Sequence, residues 1–315
     1  GDEVADYTLN YKLGETTVRS TSVNFYEGVR DEAADEDLNG NGVLGETGVT
    51  AILRAHGATP EEALFASASY KGGKTVTQNS VAWDPVDQDV DDIDQRRSIT
   101  FFTGNQGDEI ADYTLNYKIS ETDVRSTSVN FYLHGGVATR ASGSIPEDRL
   151  MASVSYKEDD VVDYLDSPVN PGDLWVGSID AKSVEDDPAT AGIDESEYFD
   201  RRSVTYFQGE QGDEVADYTR NFKTNTATIR STSINFYQQG ADTVRADQAT
   251  PEDALFASVS YKGDKDQEVL GQRIADVASI DTEIDGRRSV TYFAGEQGDE
   301  VADYTLNYKL GETTV

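Results

Sequence analysis

Apolar and polar residues alternate along much of this chain. In the segment YTLNYKL at residues 7–13, tyrosine and leucine occupy every second position, and threonine, asparagine and lysine fill the positions between them. The segment ALFASASYK at 63–71 alternates in the same way and is rich in small residues. A period of two places alternate side chains on opposite faces of a β-strand, and small residues favour close packing of sheets. The pattern therefore predicts half-buried strands with one face toward a core.

The alternating segments recur in a fixed order along the chain. Variants of GDEVADYTLNYK, RSTSVNFY, PEDALFASVSYK and RRSVTYF follow one another three times. Residues 1–18 return unchanged as residues 298–315, at an offset of 297 residues, and two diverged copies at 107–124 and 212–229 lie between them. Repetition on two scales is typical of arrays and fibres. We therefore expect the chain to be a section of a periodic object built from triplets of related units.

The spacing of these segments predicts three domains and the beginning of a fourth. The units are residues 1–106, 107–211 and 212–297, and residues 298–315 either start the next repeat or supply a strand shared with a neighbour. The third unit is the minimal one, the first carries an insertion near 31–50, and the second carries an insertion near 158–178. Units of this size bury a core without disulfides or metals. The insertions are predicted to be loops on a fixed scaffold.

One connecting segment carries a helix-start pattern. In the first unit it reads Thr59-Pro60-Glu61-Glu62, and in the third unit it reads Thr-Pro-Glu-Asp at 250–253. Threonine caps a helix, proline suits its first position, and acids face the free amides of the first turn. The segment therefore predicts a single helical turn, which we interpret as a crossover between two sheets.

The number and length of the predicted strands indicate an all-β fold. About seven short strands for each unit, separated by turns, resemble the tandem immunoglobulin-like antiparallel β-sandwich repeats of prokaryotic extracellular fibres and surface proteins. This resemblance to a class of proteins extends over the whole chain and depends on spacing and alternation, since the Cys, Trp, Cys signature of antibody domains is absent. A different two-sheet topology would produce the same sequence pattern.

The charge of the chain is strongly negative. Sixty Asp and Glu residues against 26 Lys and Arg residues leave a formal net charge of −34. Such a surface repels other copies at low salt and excludes nucleic acid as a partner. The acid excess and the scarcity of lysine resemble proteins of extreme halophiles, so the resemblance implies a haloarchaeal protein that is extracellular or at the cell surface. The alternative is an acidic, calcium-loaded surface protein from a moderate environment.

Several sequence features that would indicate the cellular compartment of the protein are absent. The chain has no cysteine, so its redox compartment stays open. No apolar run approaches the length that crosses a bilayer, and the sequence therefore predicts no membrane span in this segment. It also contains no Asn-x-Ser/Thr acceptor, so we expect charge rather than N-linked glycans to keep the surface soluble.

The first insertion contains a candidate calcium site. Its sequence, DLNGNGVLGE at 37–46, places oxygen-bearing side chains at every second position before a turn that glycine permits, which resembles the first half of an EF-hand loop. The predicted ligands are Asp37, Asn39, Asn41, the carbonyl of Val43, and Glu46. Gly48 stands where the bidentate acid of that loop belongs, so Glu46 or Asp35 would replace it. The alternative is a solvated Asn-Gly turn.

Other chemistry finds little support in the sequence. The two histidines, His56 and His134, occupy positions without counterparts in the other units, and we predict that the protein is not an enzyme. An acidic run at 84–94 precedes Arg96-Arg97. We interpret it as local charge pairing that anchors the last strand, worth at most about 1 kcal/mol for each pair if it is exposed, with metal binding as the alternative. An isopeptide bond from Lys12 or Lys71 to Asn24 is a further hypothesis.

These observations lead to competing functional predictions. The first is a structural segment of an extracellular filament or stalk whose partners are copies of itself or adjacent repeats, with strands shared between neighbours as a variant. The second is an adhesin that binds glycans or cell surfaces through the insertion loops, with Trp83, Tyr164 and Trp175 as contacts or as buried loop anchors. A surface-layer protein is the third. Calcium is the one cofactor that the sequence suggests.

Overall fold

The computed structural model describes residues 3–12, 14–30, 44–77, 80–84, 89–159, 201–224, 226, 228–265 and 285–309. The first repeat contributes β1 (Tyr7–Tyr11), β2 (Val18–Arg30), β3 (Val49–Arg54), β4 (Ala63–Lys71), β5 (Trp83–Asp84), β6 (Asp89–Val90) and β7 (Arg96–Thr103). The second contributes β8 (Ile110–Tyr117), β9 (Val124–His134), β10 (Val137–Thr139), a 3-10 turn at Ala141–Gly143, β11 (Leu150–Lys157) and β12 (Arg201–Gln208). The remaining strands are β13 (Val215–Phe222), β14 (Ile229–Gln239), β15 (Asp242–Val244), β16 (Ala254–Lys262), β17 (Arg287–Ala294) and β18 (Val301–Asn307).

Four long strands recur in each repeat, and we name them by their order. The A strands are β1, β8, β13 and β18; the B strands are β2, β9 and β14; the C strands are β4, β11 and β16; and the D strands are β7, β12 and β17. They are hydrogen-bonded in chain order within one antiparallel sheet of 16 strands, A to B to C to D and then to the A strand of the next repeat. The prediction of an antiparallel all-β protein is confirmed.

The immunoglobulin-like sandwich is not confirmed, because the long strands of each repeat are neighbours in one sheet. The segment at 59–62 likewise joins β3 to β4 within that sheet and does not cross between sheets. It forms a turn in which the Thr59 amide donates to Glu62 Oε2 at 2.9 Å and the Glu62 amide donates to the Thr59 carbonyl at 3.1 Å. The segment is therefore a β-turn closed by the main-chain bond and not the predicted helical turn, although the acid does accept a hydrogen bond from a free amide as predicted.

Alternation along the strands produces two unlike faces. On one face Val23, Ala68, Ile99 and Leu115 lie opposite one another across successive strands. The connection from β4 to β7 covers this face, since Val81 and the partly buried Val76 and Trp83 belong to the same core cluster. The other face carries serine, threonine and asparagine at the neighbouring positions, such as Ser22, Ser69, Ser98 and Asn116. The period-two prediction of one core face and one polar face is confirmed.

The chain divides into two compact units. The first contains Gly1–Val129, Ala141–Pro146 and Glu158–Tyr164, and the second contains Asn130–Arg140, Glu147–Lys157 and Leu165–Val315. In the second unit a core cluster forms between β14, β16 and β17 from Ile234, Phe236, Ala257, Val259, Tyr261 and Val290. The division of the sequence into three domains at 106/107, 211/212 and 297/298 stays a prediction.

The first insertion enters the sheet at a hairpin. It connects β2 to β3, and the second repeat joins the corresponding strands β9 and β10 through Gly135 and Gly136 alone. Both glycines have positive φ angles, 57° and 86°. Residues with a side chain rarely adopt such angles, so this two-residue turn favours glycine at both positions. The described part of the chain contains no helix long and apolar enough to cross a membrane.

Candidate functional site: the junction between repeats

The predicted calcium ligands fall mostly outside the described residues. Asp37, Asn39, Asn41 and Val43 belong to that undescribed part of the insertion, while Glu46 lies in the short segment that leads into β3. Within the described ranges, no group of three or more His, Asp or Glu residues is arranged to hold a metal ion. Calcium binding therefore stays a prediction.

Two other hypotheses from the sequence receive a structural answer. Trp83 is half-buried, and its ring packs against Phe25 at 5.3 Å and Phe65 at 5.4 Å, so it anchors the loop that covers the core. Tyr164 and Trp175 lie outside the described residues. Asn24 pairs with Ser67, whereas Lys71 pairs with Ser20, four positions along the strand. Four positions span about 13 Å, which is too far for an isopeptide bond between Lys71 and Asn24.

The feature that the structure repeats most faithfully is the junction between one repeat and the next. We define a junction as a D strand together with the A strand that follows it: β7 with β8, β12 with β13, and β17 with β18. All three have the same register, including a bulge after Phe101, Tyr206 and Tyr292 respectively. The first junction lies within the first compact unit, and the other two lie within the second. Three copies of one arrangement provide an internal control for every contact in it.

A buried arginine packs on an aromatic ring in each junction. The guanidinium carbon of Arg96 lies 3.9 Å from the centre of the Tyr117 ring, that of Arg201 lies 3.9 Å from Phe222, and that of Arg287 lies 3.8 Å from Tyr308. Arg96 and Arg287 are 0% exposed and Arg201 is 3% exposed. The ring face attracts the cation strongly where water is absent. The first arginine of each pair is therefore buried on a ring of the following A strand, and charge pairing with the acidic run stays a prediction.

Two further side-chain pairs join the strands of each junction. On the core face aromatic rings are stacked, with centroids 4.5 Å apart for Phe101 and Tyr113, and 4.8 Å apart for Tyr292 and Tyr304. On the polar face threonine hydroxyls are hydrogen-bonded, as between Thr100 and Thr114 at 2.9 Å. The middle junction repeats both, through the stacked rings of Tyr206 and Tyr218 and the hydroxyls of Thr205 and Thr219. Cross-strand pairs of this kind stabilise one strand against its neighbour.

The loop between the two strands closes the junction. Gly104 has a φ of 126°, and a Cβ atom there would lie 2.5 Å from the carbonyl oxygen of Asp108. Glu109 accepts a hydrogen bond from the Gly107 amide at 3.0 Å and another from the Leu64 amide of the C strand at 2.9 Å. The later junctions repeat these bonds with Glu214 and Glu300 as acceptors. The glutamate of the GDE sequence thus ties a new repeat to the C strand of the repeat before it.

On the edge away from the D strand, the beginning of the A strand is bonded to side chains of its own repeat. In the third repeat Arg245 donates two hydrogen bonds to Asp217 Oδ1, at 2.9 and 2.6 Å, and the Tyr237 hydroxyl donates to the Ala216 carbonyl at 2.6 Å. In the first repeat Arg54 and Asp6 form the same pair at 2.6 Å. Burial raises the pKa of Asp217 above its ordinary value, although the positive charge of Arg245 opposes the change. Burial also raises the pKa of Tyr237 to about 12, so its hydroxyl remains a donor at neutral pH.

Sequence reasoning missed the arginines of this second contact. Arg54, Arg140 and Arg245 are each 4–8% exposed, and each stands six residues before the proline of the connecting turn. That constant distance from Pro60, Pro146 and Pro251 was the available signal. Carboxylates, buried arginines and aromatic rings in these contacts hold neighbouring strands together.

Comparison with known proteins does not assign the chain to a family. No protein-family model matches it, and no curated protein matches its sequence.

Proposed function

We propose that this protein is a structural segment of an extracellular or cell-surface filament, in which tandem acidic β repeats extend one sheet. The observation that carries the proposal is the recurrence of the same junction three times. Each junction joins the last strand of one repeat to the first strand of the next by main-chain hydrogen bonds. A sheet built in this way grows by four long strands with each repeat.

The charge distribution supports a solvated assembly. With a formal net charge of −34, neighbouring filaments repel one another, and in concentrated salt this repulsion is screened within about 3 Å. The basic residues that contribute to the fold are buried, as Arg96 and Arg287 are, or stand in ion pairs, as Lys74 does with Asp92 at 2.7 Å. The proposal therefore includes a saline environment.

The test is the dependence of length on repeat number. A chain in which residues 1–297 are duplicated is compared with the 315-residue chain by electron microscopy at high salt. Strands in a sheet lie about 4.8 Å apart, so each added repeat of four long strands should lengthen the sheet by about 19 Å measured across the strands. Particles whose length does not increase with repeat number would refute the proposal.

A second candidate function is adhesion through the insertions, and the position of the first insertion favours it. The insertion replaces a turn of two glycines at the end of a rigid hairpin, which is where a binding loop is carried without disturbing a sheet. Replacement of residues 31–48 by the Gly-Gly turn of the second repeat, together with deletion of 158–178, should then abolish binding to glycans or cells and leave the fold intact. Binding that survives both deletions would exclude this function.

Calcium binding belongs to the same candidate function. Titration of the chain with calcium, followed by calorimetry, should give heat that disappears in the Asp37→Ala and Asn39→Ala variants. Titration of the variant lacking residues 31–48 is the control. Heat that persists in that control would place calcium elsewhere.

A further inference from the structure

The polar face of the sheet carries a continuous row of small uncharged side chains in the second compact unit. Successive members of this row lie opposite one another on six long strands that are neighbours in the sheet, β11, β12, β13, β14, β16 and β17. Each side chain carries a hydroxyl and is half-buried. We call this set the hydroxyl row, and its members are Ser153, Thr205, Thr219, Ser233, Ser260 and Ser289.

The rows on either side of the hydroxyl row are also nearly free of charge. One neighbouring row runs through Ser155, Ser203, Asn221 and Ser231 before it reaches Lys262. The other contains asparagine, serine and threonine. Acids make up 60 of the 315 residues, yet none stands in these three rows of the described strands. Two copies of this acidic chain can therefore approach through this face without bringing carboxylates together.

The hydroxyls of the row retain hydrogen-bonding capacity. Thr205 and Thr219 bond to each other at 2.9 Å, which occupies one donor of the pair. Within the described residues, the hydroxyls of Ser233, Ser260 and Ser289 form no hydrogen bond to another side chain. A hydroxyl both donates and accepts, so two facing rows can satisfy each other, and burial of a hydroxyl requires such a partner. The row is therefore complementary to a copy of itself.

The spacing of the row favours a second sheet of the same kind as its partner. Hydroxyls recur about every 4.8 Å across the strands, and a second copy of the chain presents the same row at the same spacing. Serine and threonine are small, so two such sheets can pack closely. The first compact unit contains an equivalent row, in which Ser67, Thr100, Thr114 and Ser128 lie opposite one another. Each unit therefore offers this surface.

The area of the face is sufficient for a stable contact. Seven neighbouring long strands of the second unit, about 4.8 Å apart and each presenting about 20 Å of its length, provide a face of about 700 Å². Two such faces would bury about 1,400 Å² together, and specific protein interfaces bury about 1,200–2,000 Å². The face of one unit thus reaches the size that a stable pair of chains needs.

We propose that two copies of this chain pair face to face through the hydroxyl row. The contact is isologous, because both copies use the same surface. Pairing of this kind does not depend on growth of one sheet from repeat to repeat, and it adds a second sheet to the proposed filament. Repulsion between chains of charge −34 keeps the copies apart at low salt, and pairing occurs in about 1 M salt, where the Debye length is about 3 Å.

Charged substitutions in the row test the pairing on the full chain. Ser233→Asp with Ser289→Asp places carboxylates within the contact and should raise the dissociation constant of the pair by at least about tenfold, because buried like charges are screened little by salt. Ser233→Lys with Ser289→Lys should have the same effect. Ser142→Asp adds a charge at an exposed position outside the row and should change the constant by less than about twofold. Analytical ultracentrifugation measures association, and circular dichroism checks the strand content of each variant.

A mixture of the aspartate and lysine variants decides whether like faces meet. Each variant should stay monomeric alone, and the mixture should regain pairing because opposite charges then face each other across the contact. A mixture that stays monomeric would overturn the proposal, and so would pairs whose dissociation constant neither variant changes. An unmodified chain that is monomeric in the same salt but binds an insoluble polysaccharide would also overturn it, by giving the face another occupant. Particles that lengthen with repeat number as single sheets would overturn the pairing and leave the proposed function standing.

Discussion

β1 and β8 form within the same eight-residue motif, ADYTLNYK, at 5–12 and 111–118, yet they differ in length and burial. β8 extends over eight residues and β1 over five, and the last tyrosine of the motif is 6% exposed in β8 and 55% exposed in β1. The difference between them is the D strand β7, which lies beside β8 and has no counterpart beside β1 among the described strands. The burial of an A-strand side chain therefore depends on whether a D strand lies beside it. We expect the contribution of that side chain to the free energy of unfolding to depend on the same neighbour.

The largest expected effect comes from the tyrosine at the end of the motif. Tyr117→Ser removes a buried ring from beneath Arg96 and should lower the free energy of unfolding by about 3–4 kcal/mol. Tyr11→Ser, the same substitution in β1, should cost less than about 1 kcal/mol because that ring is mostly in water. Urea unfolding of both variants measures the difference. Equal losses would contradict the dependence on the neighbouring strand.

The next effect concerns the glycines of the junction loop. Gly104→Ala places a Cβ atom 2.5 Å from the Asp108 carbonyl oxygen at a φ of 126°, and should cost about 2–3 kcal/mol. Gly107→Ala has a φ of 84° but no atom within 4 Å of the new Cβ, so strain alone should cost about 1 kcal/mol. Thermal unfolding compares the two variants. Similar losses would mean that the close approach at Gly104 does not constrain the loop.

A smaller effect is expected from the glutamate that ties a repeat to the preceding C strand. Glu109→Ala leaves the amides of Leu64 and Gly107 without their carboxylate acceptor and should cost about 1.5 kcal/mol. Asp108→Ala removes the same charge from an exposed neighbour and should change stability by less than about 0.5 kcal/mol. Hydrogen exchange at the Leu64 amide reports the change locally. Unchanged protection of that amide in the Glu109 variant would count against the contact.

The smallest effect is a pH dependence in the contact on the other side of the A strand. The Asp217 side chain is 10% exposed and that of its counterpart Asp6 is 35% exposed. Because the pKa of Asp217 is raised in the folded protein, the folded state binds its proton more tightly than the unfolded state does. The stability that this proton contributes is present below the ordinary pKa of about 3.9 and is lost as pH rises through the folded value.

The measurement is a difference between variants, since many other carboxylates titrate in the same range. The unfolding free energy of the unmodified protein relative to Asp217→Asn should fall as pH rises above about 4. Asp6→Asn is the matched control at the corresponding exposed position. A difference for Asp217→Asn that stays constant or rises with pH would contradict the raised pKa.

Much of the fold was predictable because it follows from local pattern. Alternation in the segment at 63–71 correctly predicted a strand with one core face and one polar face, since successive side chains of a strand point to opposite sides. The segment at 7–13 forms the predicted strand over Tyr7–Tyr11, but neither of its faces is buried. The position of the first insertion between strands was also predictable, from the extra residues between Tyr26 and Pro60. The arrangement of the strands was not, because alternation is the same in a sandwich and in a single sheet.

The candidate site was only partly predictable for a related reason. The Arg96-Arg97 pair was visible as a repeated feature, but the burial of Arg96 on the Tyr117 ring was not predictable from it, because charge alone favours exposure to water. Arg54 and Arg245 were missed because their partners are distant in the chain, with Asp6 48 residues from Arg54 and Asp217 28 residues from Arg245. Long-range pairing of this kind leaves no mark in the local pattern of hydrophobic and polar positions.

The amino-acid sequence alone determined the strands, their two faces, the repeat and the acidic surface, since each of these depends on composition or on neighbours within a few residues. Tertiary structure decided which strand lies beside which, that the long strands form one sheet, and that an arginine of each repeat is buried on a ring of the next. The physical reason is visible in ADYTLNYK. Identical residues are buried in β8 and exposed in β1 because burial requires a second strand in contact. The sequence of one strand does not say which strand will lie beside it.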